Sequence, residues 1–185
     1  MKIFKLHSDV TNLCSFIEDY PEGVESIMGV SMDRKWLPFG EEYTSRKLEL
    51  RSNDIGGRNY FFDISGALSP FFVFSENAVE TLQDILLKRG QLLPVITKSQ
   101  EKKFFGYYPT NPLKNCFDRE KSVYREYPNG LMIRKHSLIK DNIEDEYLFT
   151  IEEDISSVFV TDKFVERVKN SGLVGFDFSR EIEVN

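Results

Sequence analysis

The strongest constraint in this chain is a pattern of strand, cap, helix and stop that occurs twice. Residues 71–74 are a continuous apolar run, FFVF, as in a strand buried on both faces. Ser75 follows, placed so that its hydroxyl can accept one of the free N–H groups of a helix start. Glu76 puts a negative charge in the first turn, where the helix dipole favours it. Ala78, Val79, Leu82, Ile85 and Leu86 then fall on one face, Lys88 and Arg89 close the helix, and Gly90 stops it. The same grammar returns at Val158, Phe159 and Val160. Thr161 is the cap, Asp162 the first-turn acid, Phe164, Val165 and Val168 the inner face, and Gly172 the stop. Setting Ser75 on Thr161 also pairs Glu76 with Asp162, Val79 with Val165 and Glu80 with Glu166. One such recurrence describes a reused structural unit and falls short of a repeat array.

Around these units the reading is a single α+β domain over residues 1–185, a mostly antiparallel sheet with a few helices packed on one side. Residues 2–7 and 46–52 alternate as strands, and residues 103–110 are aromatic and extended. Residues 9–20 predict a helix capped by Asp9, with Val10, Leu13, Phe16 and Ile17 inward. Trp36, Leu37 and Phe39 around Pro38 predict a buried loop, and residues 53–57, NDIGG, a turn. Residues 59–64 read as a further strand or a short helix. Pro94 implies an edge or bend in the piece after Gly90. The clearest hairpin is 121–137, turning at Pro128, Asn129 and Gly130, with a type I turn and a bulge expected.

Composition limits the chemistry. With 41% hydrophobic residues, 16 Phe and 8 Tyr, the chain can build a core, which argues against long disorder. Cys14 and Cys116 lie too far apart in sequence for a metal knuckle and read as reduced structural thiols. Lys2 and Lys5 are not followed by an apolar run, so no signal sequence is expected, and no stretch suits a membrane span. The cytoplasm is the expected compartment. Neither His7 nor His136 has metal-ligand spacing, and His136 reads as a surface residue of the hairpin. No serine sits in a nucleophile elbow; Ser65 reads as a loop serine, and Gly56–Gly57 as a turn and not a phosphate cradle. Catalytic residues, metal ligands and cofactors are therefore all read as none.

The net charge of −6 is uneven. Residues 1–70 hold 8 basic and 11 acidic residues, 71–140 hold 12 and 7, and 141–185 hold 4 and 12. An acidic total disfavours nucleic acid as a general partner, although Phe104, Phe105, Tyr107 and Tyr108 beside Lys102 and Lys103 could in principle stack on bases. Residues 141–154 concentrate the acids: Asp141, Glu144, Asp145, Glu146, Glu152, Glu153 and Asp154, with Leu148, Phe149 and Ile151 pointing inward. They lack the alternating ligands and central glycine of a calcium loop. They could solvate a loop or face a cationic partner.

The second half carries an ordered motif set. It includes Ser75, Ala78 and Leu82, then Gly90, Leu92, Leu93 and Pro94, then Asp118 and Ser122. Phe149, Phe159, Val160, Thr161, Asp162, Phe164 and Val168 follow, and Leu173, Gly175 and Phe178 complete it. This set, over about residues 58–178, resembles a family of immunity proteins from bacterial polymorphic toxin systems, long catalogued as a domain of unknown function; residues 1–57 match it only loosely. The resemblance implies a cytoplasmic, non-catalytic protein that binds a cognate toxin domain stoichiometrically. The matching residues are caps, stops and core positions and mark no binding face. The seven acids are the residues expected to meet a basic toxin. A different class of reading is a small enzyme or small-molecule sensor with an aromatic pocket near Tyr107 and Tyr108, and a third is a structural adaptor.

Overall fold

The computed structural model describes residues 1–185. Strands β1 (Ile3–Lys5), β2 (His7–Ser8) and β3 (Ser15–Glu18) precede helix α1 (Ile27–Asp33) and β4 (Arg46–Arg51). After β5 (Ile64–Ser65) comes the first unit: β6 (Phe72–Ser75), α2 (Glu76–Arg89) and its return strand β7 (Gly90–Ile96). Then follow β8 (Phe104–Pro109), β9 (Pro112–Leu113), the hairpin β10 (Val123–Tyr127) and β11 (Gly130–Lys135), and β12 (Ser137–Leu138). The second unit is β13 (Leu148–Ile151), β14 (Asp154–Thr161) and α3 (Asp162–Ser171), followed by β15 (Phe176–Asp177) and β16 (Glu181–Val184).

The class is α+β, with antiparallel and mixed sheets. The strands divide between two six-stranded sheets, ordered β12-β16-β1-β14-β13-β9 and β3-β4-β7-β8-β6-β5, with β10–β11 and β2–β15 as separate ribbons. Each sheet holds one of the two strand-to-helix units. Helix α2 packs on β6, β7 and β8 of one sheet and also reaches β13 of the other, while α3 packs on β14. Arg167 of α3 joins the helices by donating to Asp84 and to the Thr81 carbonyl of α2. The main core runs through both sheets and both helices, from Leu6 to Leu173. A smaller core on the far side of the first sheet gathers Ile3, Cys116, Phe117, Leu138, Ile143, Phe149, Ile151 and Phe159.

Sequence explains the first unit in detail. Ser75 Oγ accepts the Ala78 N–H at 3.1 Å, a cap worth about 1 kcal/mol. Ala78, Leu82, Ile85 and Leu86 are buried as the periodicity requires, each Leu or Ile contributing about 1.5–3 kcal/mol relative to exposure. Gly90 ends the helix by a different route from a left-handed cap. Its φ is −175°, and β7 begins at once. Glycine is needed for closeness, since a Cβ would lie 2.6 Å from the Tyr107 ring and from the Tyr108 carbonyl. Pro94 sits where β7 leaves its pairing with β8 and takes up β4 at Val95 and Ile96. The second unit ends with Gly172 at φ 71°, the left-handed stop. Its cap departs from expectation. Thr161 Oγ1 donates to the Glu146 carbonyl at 2.8 Å and makes no helix cap.

The helix predicted over residues 9–20 is absent. Asp9 does gather free N–H groups, from Thr11 at 3.2 Å and Asn12 at 3.0 Å, but they close a turn. Beyond it Phe16 is fully buried and Ile17 is 46% exposed, so the two take opposite faces of a strand paired with β4. The inward side of β3 then meets the inside of a curled sheet. The Phe16 N–H donates to Ser65 Oγ at 3.0 Å, bringing edge strands β3 and β5 together, and Phe16, Phe62 and Phe104 stack edge to face or tilted in the space between. Residues 59–62 have no regular structure. Helix α1 lies in a stretch with no predicted element; Ser26 Oγ caps it and the Glu18 carboxylate accepts its Ile27 N–H at 2.6 Å. The loop after it is buried at Trp36 and Phe39 but not at Leu37, which is 67% exposed.

Candidate protein interface

The feature that stands apart from both sheets is the β10–β11 ribbon. It pairs only with itself, so each strand has an edge with no neighbouring strand. Two residues, Pro128 and Asn129, form its turn between the paired Tyr127 and Gly130, with Gly130 at φ 136°. The register shift lies at the opposite end, between Val123 and Tyr124. Period-2 alternation divides its side chains. Tyr124, Leu131 and Ile133 pack on the smaller core, Tyr124 edge-on to Phe117 at 5.5 Å. Val123, Tyr127 and Met132 face outward, 50%, 48% and 42% exposed, and Arg125 and Arg134 share that outer side.

The ribbon is fastened at its base by a hydrogen bond. His136 Nε2 meets Asp154 Oδ2 at 2.7 Å, and both side chains are only 10% exposed. His136 is therefore not the surface histidine expected; it stands edge-on to Phe117 and Phe159 and joins the hairpin to β14. Burial alone would raise the Asp154 carboxyl. The hydrogen bonds from His136 and from Ser156 outweigh it and hold the carboxyl well below the usual range.

Between the ribbon's tip, the end of α1 and the β13–β14 turn runs a groove of about 650 Å³. Tyr127, Leu131, Met132 and Ile155 give it apolar surface, and Glu126, Glu152 and Glu153 outnumber Lys35 and Arg119. One Glu153 oxygen is buried there without a hydrogen-bond partner.

The seven acids do not form one surface. Glu152, Glu153 and Asp154 line this groove, whereas Asp145 and Glu146 line a separate depression at the start of α3 with Asp162, Lys163 and Glu166. Glu146 is bound by Arg89 Nε at 2.6 Å, Asp145 by Lys163 at 3.1 Å and Glu152 by Lys114 at 3.6 Å. Asp154 is buried in its pair with His136. Asp141 and Glu144 are exposed and form no ion pair. A row of acids in sequence thus becomes two clusters with much of its charge already countered, because β13 and its flanking turns carry the row across the sheet.

Tyr107 and Tyr108 line no open pocket. Both are fully buried, with hydroxyls donated to the Leu86 and Ser31 carbonyls. Phe104 is buried beside them, so three of the four aromatics in the run are core, and Phe105 is half-buried. Cys14 and Cys116 are free and buried, and burial with Glu153 and Glu146 nearby pushes the Cys116 thiol up to about 11. No three His, Cys, Asp or Glu side chains gather as a metal-binding group, and no helix is long and apolar enough to cross a membrane.

His7 supplies a pH test. Burial, Arg180 and Lys5 push its imidazole down to about 4 against the opposing pull of Asp177, and its Nε2 is buried without a partner. In the unfolded chain it titrates near 6.5, so as pH falls the unfolded state takes the proton first. Its contribution is complete above pH 6.5 and erodes as pH falls towards 4. The urea midpoint is expected to drop across that window, and His7→Gln to flatten that part of the profile. An identical slope in the variant would assign the drop to other groups.

Compared with known proteins, the chain matches no family model and no curated sequence.

Proposed function

We propose that this chain is an immunity protein that binds a cognate bacterial toxin domain stoichiometrically and blocks it, acting in the cytoplasm and without catalysis of its own. The ordered motif set of residues 58–178 and its resemblance to polymorphic-toxin immunity proteins supply the class. The observation that carries the reading is the β10–β11 ribbon. It presents Tyr127, Met132, Arg125 and Arg134, residue types enriched in protein interfaces, beside an exposed Val123. The acid-lined groove beside it offers complementary charge to a basic toxin domain.

The test begins with the neighbouring reading frame, expected to encode a large protein with a variable C-terminal toxin domain. Co-expression of this chain should rescue cells from that domain, and the two should elute as a stoichiometric complex. Undiminished toxicity in the presence of folded protein would overturn the reading.

A further inference from the structure

At the base of the ribbon, the ends of β1, β11 and β16 surround a second depression of about 330 Å³. Lys5 and His136 are its half-buried members, Arg134, Lys135 and Arg180 its exposed ones, and Ile133 and Ile182 its apolar surface. Two carboxylates also line it, and both are engaged: Glu181 by Lys2 at 3.2 Å and Glu183 by Lys135 at 2.5 Å. Asp154 is committed to His136 and Ser156. Lys5, Arg134 and Arg180 are left without an ion pair in a chain that has 30 acidic residues.

Three cations without an ion pair around one depression repel each other. Burial is the main cause that lowers the Lys5 ammonium; Asp154 nearby raises it, and Arg180 adds a smaller lowering. Nothing in the folding of β1 or β16 requires the repulsion, since the backbone of Lys5 is already bonded to the Arg180 carbonyl. A bound dianion would remove the repulsion and use the two guanidinium forks at once.

We propose that Lys5, Arg134 and Arg180 form a binding site for a small phosphate monoester, with the organic part lying against Ile133 and Ile182. A carboxylate brings one charge and two oxygens to three cations, whereas a phosphate monoester brings close to two charges and three terminal oxygens. The depression is larger than a phosphate group and falls at the small end of ligand sites, which run from about 300 Å³ upward. Arg134 is shared with the outer face of the ribbon, but nothing in this site requires the toxin-binding reading.

Amide spectra of the full chain, titrated at constant ionic strength with inorganic phosphate, adenosine monophosphate and acetate, test it. Phosphate is expected to give saturable shifts at Lys5, Arg134, His136 and Arg180. The nucleotide should bind more tightly and acetate should give none. The double variant R134Q/R180Q changes two exposed side chains and should keep the spectrum elsewhere while weakening phosphate at least tenfold. No saturable response to phosphate, an equal response to acetate, or undiminished binding by the double variant would overturn the proposal.

Discussion

Replacing Asp63 by alanine is expected to cost about 3–5 kcal/mol of folding stability, because it removes the one anion from a buried polar knot. Asp63 is 4% exposed. Its Oδ1 accepts the Ser75 hydroxyl at 2.6 Å and lies 3.0 Å from Lys102 Nζ, and its Oδ2 accepts the Val174 N–H at 2.9 Å. Its backbone is also committed, its N–H to the Val174 carbonyl and its carbonyl to the Ser75 N–H, both near 3.0 Å. Ser75 starts α2 and Val174 follows α3, so one carboxylate ties the two strand-to-helix units together. Alanine would leave the Lys102 charge, the Ser75 hydroxyl and the Val174 N–H without that acceptor. Lys102 keeps the Phe62 carbonyl at 3.0 Å and is 29% exposed in its side chain, which limits its share of the loss.

Against a typical total of about 5–15 kcal/mol, such a loss would leave little margin. Urea unfolding near neutral pH should show a large fall in midpoint for Asp63→Ala. Asp63→Asn keeps one acceptor oxygen and should cost less. Lys102→Met leaves the Asp63 charge buried with only the Ser75 hydroxyl and the Val174 N–H as partners of its carboxylate, and should cost about 1–3 kcal/mol. If Asp63→Ala lies within about 1 kcal/mol of wild type, the knot does not join the units energetically.

This knot also marks the boundary of what the sequence discloses. The two units were legible because their information is local: an apolar run, a cap, a first-turn acid and a stop lie within about four turns of one helix. The knot was not, since Asp63 joins Ser75 across 12 positions and Val174 across 111. Residues 9–20 misled for a related reason. Their apolar spacing satisfies a helix, but Phe16 is claimed by the interior of the curled sheet and Ile17 is left outside. Tertiary pairing overrode a local period. Thr161 is a smaller case, its hydroxyl drawn from the cap to the Glu146 carbonyl.

The candidate interface was half legible. The turn at Pro128 to Gly130 located the hairpin, and alternation gives its two faces. What stayed hidden is that the ribbon joins neither large sheet, and that His136 and Asp154 fasten it. The acidic row drew attention instead because charge density is visible in sequence and countercharge is not. Arg89, Lys114 and Lys163, which neutralise Glu146, Glu152 and Asp145, come from three other segments.

That difference sets the second large prediction, which rests on the immunity reading. The double variant Y127A/M132A is expected to weaken toxin binding by roughly 30- to 1,000-fold, or about 2–4 kcal/mol, mainly through faster dissociation. Both side chains are nearly half exposed, so the free protein should lose no more than about 0.5 kcal/mol of stability. Reversing the exposed acids Asp141, Glu144 and Glu152 to lysine should act differently. It should slow association, with an effect that fades as salt rises, because rim charges steer encounter more than they hold the complex. Glu146 and Asp154 are unsuitable for that comparison, since their loss would uncover Arg89 or His136 and disturb the fold. Surface plasmon resonance at two salt concentrations separates the cases. Wild-type dissociation from Y127A/M132A would remove the ribbon from the interface. A loss dominated by the charge reversals and persisting at high salt would move the contact to the acidic segment, where charge would then be buried against the toxin rather than guiding it in.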